Sequence, residues 1–93
     1  MYSDRNLKDK IVPIQDSSDV QRLTPVSYVM KGGTKKQFGF IAQDIEELDI
    51  RNIVFKDGRG VRSVAYNQII PLLVHQVQLL TKRIEELEKA HAS

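Results

Sequence analysis

From Asn67 to about Ala90 the sequence reads as one continuous helix, and no other stretch limits the possible folds so strongly. With Ile70 at heptad position a, Ile70, Val77 and Ile84 occupy a while Leu73, Leu80 and Leu87 occupy d, without exception. His91 takes the next a position. Apolar residues repeating every three or four positions mark helices that wrap around one another. Asn67 suits an N-cap. Pro71 sits about one turn inside, where it forfeits at most the first intrahelical bond. At ~1.5 Å per residue this helix is about 35 Å long, out of proportion to a body built from what is left of the chain.

The seam is not uniform. Leu72 and Leu79 at c and Val74 at e widen the apolar face up to Leu80. That half is expected to cover the globular strands as well as partner helices. Beyond Thr81 the large apolar residues are Ile84 and Leu87 alone, with Arg83 at g and Glu88 at e placed to pair between chains. The helix is therefore expected to leave the body near Thr81. Ile or Val at a with Leu at d favours two strands, whereas the wide face favours a larger bundle. The heptads leave two against three open, and an amphipathic helix lying on its own domain is the alternative to both.

A chain of 93 residues is one small domain whose core needs supplementing. There is no cysteine, so disulfides and thiolate metal sites are excluded. His75 and His91 are too few and too far apart to suggest a metal, and no cofactor is expected. Oligomerisation is left to supply the missing burial. The net charge of +2 comes from mixed acidic and basic residues, which argues against nucleic acid or an anionic membrane as partner. Lys31, Lys35 and Lys36 around Gly32-Gly33 read as a solvated turn. No apolar run is long enough to span a bilayer or form a signal-peptide core.

Before Asn67 the pattern is α+β. Ser17, Ser18 and Asp19 offer cap oxygens to a short helix near Asp19–Leu23, stopped by Thr24-Pro25. "PVSYVMK" alternates, with Val26, Tyr28 and Met30 on one face, and Gly32-Gly33 turns it into a second strand, "QFGFIA". "QDIEELD" suits a short helix with Ile45 and Leu48 inward; its acidic residues are read as a solvated face. In "IVFKDGRGVRSVAY", Asp57-Gly58 is the pair expected to make a tight hairpin turn. The expected fold is α+β: small antiparallel strands and short helices in a body spanning 1–66, then a coiled-coil helix over 67–93.

Four stretches in order, "SDRNLKDKIVPI", "PVSYVMK", "FGFIAQDIEEL" and "VRSVAYNQIIPLLVHQVQLLTKRIEELE", resemble the C-terminal intramolecular chaperone domain of phage tail-spike and tail-fibre proteins, the endosialidase type (peptidase family S74). The resemblance runs from Ser3 into the terminal helix. It implies a homotrimer that holds three copies of an upstream fibre or spike stem in register in the host cytoplasm, then leaves the fibre by cutting itself off. It also implies the cut at Tyr2–Ser3, with Ser3 as nucleophile and Lys8 as base, a single-turnover serine endopeptidase. With only Met1 and Tyr2 ahead of Ser3, the chain is expected to begin close to the cut. Asn6 stands where family members often carry arginine, Ala65 where an acidic residue is common, and "LDIRN" where "LP" is frequent. Readings from other classes are a non-cleaving trimerisation tip and an unrelated coiled-coil adaptor.

The residues themselves set conditions on that chemistry. A serine hydroxyl attacks only when a base takes its proton, and a lysine does so only when neutral. Burial or a neighbouring cation favours the neutral form. An offset of five puts Ser3 and Lys8 on opposite faces of a strand and on no common face of a helix. In an extended strand they would stand roughly 16 Å apart. Either the chain turns within "DRNL", or the lysine comes from a neighbouring protomer.

Overall fold

The computed structural model describes residues 2–92, so Met1 and the end at Ser93 lie outside the described residues. In chain order the elements are a 3-10 turn at Arg5–Leu7, a second at Ser18–Arg22, strands β1 (Val26–Val29) and β2 (Lys36–Gly39), helix α1 (Ala42–Glu47), strands β3 (Val54–Lys56) and β4 (Arg62–Val64), and helix α2 (Tyr66–Ala92). This is the α+β arrangement the sequence predicts, with two separate antiparallel hairpins.

In the first hairpin Val26 faces Gly39 and Val29 faces Lys36. The Gly33 N–H closes the turn on the Met30 carbonyl at 2.8 Å, with Gly32 at φ +80°, where a Cβ would be strained. Val26 and Tyr28 are half-buried as expected, but Met30 lies beyond the strand and is exposed. The second hairpin corrects the expected two-residue turn. Asp57 pairs with Val61 (N to O, 2.9 Å) across a three-residue loop, and Gly60, not Gly58, takes the positive φ of +81°. Two loop glycines allow either register; the Asp57 side chain favours this one by accepting the Arg59 and Val61 N–H groups at 2.8 and 3.1 Å. Those two N–H groups hold its carboxyl below the usual carboxylate range.

An isolated two-stranded hairpin is marginal in water, and each hairpin here is propped by something else. α1 lies against β3 and β4, with Ile45 buried and Leu48 half-buried. The acidic face of α1 is not wholly solvated, because Glu46 pairs with Arg62 of β4. The first hairpin is tied down at its base, where the Phe40 N–H donates to Tyr66 Oη at 3.1 Å and the two rings stack with centroids 5.9 Å apart. That contact requires Gly39, since a Cβ there would run into the Tyr66 hydroxyl. Gly39→Ala is expected to lose both the bond and the stack, about 1–3 kcal/mol in total. Tyr66→Phe should lose only the bond, about 1 kcal/mol. Thermal unfolding of the two variants side by side checks the ranking.

The core is small. Ile45, Ile53 and Ile69, from α1, the segment before β3 and α2, meet at its centre, with Val20, Leu23 and Leu72 packed around them. α2 begins at Tyr66, which places Asn67 inside the first turn and not at the cap. Past Tyr66 it lies against the Ser18–Arg22 turn, with Ile69 in the core. Gln76 is the last residue of α2 that the body covers, so the helix leaves the body about one turn earlier than Thr81. The radius of gyration is 17.5 Å, against about 12 Å for a compact domain of this length. A free helical arm explains the difference.

Candidate functional site

Every residue from Tyr2 to Asp16 is exposed, so the geometry of this segment rests on local bonds and not on packing. Asp4 is the N-cap of the first 3-10 turn. Its Oδ1 accepts the Asn6 N–H at 2.9 Å, while the Leu7 N–H reaches the Asp4 carbonyl and the Lys8 N–H the Arg5 carbonyl, both at 3.1 Å. The turn reverses the chain within "DRNL" and sets Lys8 Nζ 2.9 Å from Ser3 Oγ, donating to it. This is the turn within "DRNL" that the sequence left open as one of two routes. Lys10 follows at φ +53°, an uncommon conformation for a side chain with a Cβ. No ion pair joins Asp4 to Lys8 among the described residues.

The heptad residues form a second feature. Ile70, Leu73, Val77, Leu80, Ile84 and Leu87 are all 44 to 61% exposed, on the side of α2 away from the core. Ile69, Leu72 and Gln76, at g and c, face the body instead. Leu79 and Val74, expected to help cover the strands, are exposed with the seam. One helix thus carries two apolar stripes side by side, one satisfied within the chain and one bare.

A third feature was not legible as a unit. Ser17, 2% exposed, accepts from Gln76 Nε2 at 2.9 Å and lies 2.5 Å from His75 Nδ1. Gln21 Nε2 donates to Gln76 Oε1 at 2.6 Å. A serine hydroxyl has one proton and two lone pairs, so the direction of the Ser17–His75 bond follows the His75 tautomer. Ser17 is too enclosed to meet a substrate, and the cluster works as a clasp joining the N-terminal segment to α2. The sequence suggested Ser17 as a cap. Asp16 does that work instead, accepting the Ser18 N–H at 2.9 Å and its hydroxyl at 2.8 Å. These two donors, the N–H first, hold the Asp16 carboxyl below its usual range. The only sequence signal for the clasp is a glutamine one heptad after Ile69, on the flank of an apolar stripe.

No curated protein and no solved structure matches the chain. A family profile described as chaperone of endosialidase, Peptidase_S74, matches residues 3–55. The match starts at the serine that Lys8 reaches and runs through both 3-10 turns, the first hairpin and α1 into β3. It covers more than half of the chain, and the α+β body with its long terminal helix agrees with what the four stretches implied. The chain therefore belongs to the endosialidase-chaperone family, peptidase S74.

Proposed function

We propose that this chain is the C-terminal folding module of a viral fibre or spike. Three copies join through the α2 seam, hold the upstream stem in register while it folds, and are then released by cleavage at Tyr2–Ser3. The family match supports the chaperone role. The bare heptad stripe supports assembly with copies of itself, because six large apolar residues in one line are more than a small monomer leaves in water without a partner.

The observation that carries the self-cleavage reading is the 2.9 Å approach of Lys8 Nζ to Ser3 Oγ. Ser3 follows the scissile bond, so its Oγ attacks the Tyr2 carbonyl carbon through a five-membered ring. Neutral Lys8 takes the hydroxyl proton and returns it to the Ser3 nitrogen as the C–N bond breaks, leaving Tyr2 esterified to Ser3 Oγ. Water then hydrolyses the ester, freeing the Tyr2 carboxylate and restoring the Ser3 hydroxyl. In the single chain both side chains face solvent. Cover from neighbouring copies or from the stem would favour the neutral lysine.

The test is mass spectrometry of a stem–domain fusion. The unaltered fusion is expected to give a fragment beginning at Ser3, and Ser3→Ala to remain whole. An unaltered fusion that stays intact overturns the protease reading and leaves a trimerisation tip that remains on its fibre.

A further inference from the structure

We propose that Asp4 is a positioning residue for the cut, acting through the turn it caps and not through its charge; this rests on the self-cleavage reading above. The turn has three residues and buries none of them. What holds it is one side-chain bond, Asp4 Oδ1 to the Asn6 N–H, and two backbone bonds of 3.1 Å. An extended backbone from Ser3 to Lys8 would part them by roughly 16 Å, so the 2.9 Å contact exists only while the turn is formed. Among the described residues, Asp4 is therefore the side chain whose bond to the backbone holds the turn between Ser3 and Lys8.

The same bond gives the carboxylate a backbone partner. Asp4 adjoins Ser3 in the chain, and an ion pair with the Lys8 ammonium would stabilise the protonated lysine. Held on the Asn6 N–H, the carboxylate serves the backbone instead. The required property is thus an acceptor oxygen three bonds from Cα, which asparagine also has.

The experiment follows the rate of precursor loss in the stem–domain fusion for Asp4→Ala and Asp4→Asn across a range of pH. Losing a cap lowers the ratio of formed to unformed turn about five- to thirtyfold, and the cleavage rate of Asp4→Ala should fall as the turn is lost, without displacement of its pH profile. Asp4→Asn should cut within about twofold of the unaltered fusion. Because Asp4 is exposed and outside the core cluster of Ile45, Ile53 and Ile69, both variants should keep the helical circular-dichroism signal of α2. Three results overturn the proposal: Asp4→Ala cutting at the unaltered rate, Asp4→Asn as slow as Asp4→Ala, or a displaced profile for Asp4→Ala. The last two would mean that charge matters. Failure of the self-cleavage reading looks different, since the unaltered fusion would then stay whole, and the proposal would fall with it.

Discussion

A chain carrying Val77→Asp and Leu80→Asp is expected to sediment as a monomer at micromolar concentration, where the unaltered chain is expected to sediment as a trimer. Both side chains are more than half exposed in the single chain, so the substitutions touch nothing in the core. Their effect on the folded monomer should stay within about 0.5 kcal/mol. In an assembled seam the same positions turn inward. Burying what remains exposed of each apolar side chain contributes on the order of 1 kcal/mol, and an unpaired carboxylate there costs several more in desolvation. Repeated in every copy, the loss exceeds about 4 kcal/mol, roughly a thousandfold in association. Sedimentation velocity of both chains decides the matter. An unaltered chain that stays monomeric would end the assembly reading.

Neighbouring isoleucines should behave in opposite ways. Ile69 is 2% exposed and Ile70 56%. Ile69→Ala opens a cavity among the three residues at the centre of the core, with an expected loss of about 2–5 kcal/mol. That is a large part of the whole for a domain this small. Ile70→Ala removes a seam residue and leaves the core as it was. In denaturant unfolding, the Ile69→Ala midpoint should fall at every protein concentration. For Ile70→Ala the fall should depend on concentration, because binding between copies is what it weakens. Equal, concentration-independent falls would show that the two faces of α2 are not divided as described.

How much of this was legible varies from element to element. The long helix and its a/d residues followed from periodicity, which is a property of the chain alone. β1 and β2 were legible from alternation and the Gly32-Gly33 pair. α1 followed from the spacing of Ile45 and Leu48. The second hairpin was legible in existence but not in turn type, because "DGRG" contains two glycines and only the Asp57 bonds to Arg59 and Val61 select between them. The Ser17 clasp was not legible, since its members lie more than fifty residues apart and each has an ordinary local reading.

The candidate site divides in the same way. Motif order singled out Ser3 and Lys8, while their spacing in an extended chain argued against contact. A 3-10 turn with an aspartate cap removes that conflict, bringing Nζ and Oγ to 2.9 Å within one chain. Short exposed turns have weak signatures because a few local bonds, and no buried surface, define them.

The sequence by itself determined the α+β class, the helix and its heptad seam, because hydrophobic periodicity and turn residues act over a few neighbouring positions. Only the tertiary structure decided which apolar stripe of α2 the body covers, where the helix leaves it, and that Lys8 reaches Ser3 in its own chain. The first two depend on contacts between segments distant in sequence, such as Ile69 with Ile45 and Ser17 with Gln76. The third depends on a chain reversal whose bonds become apparent only when the backbone is traced.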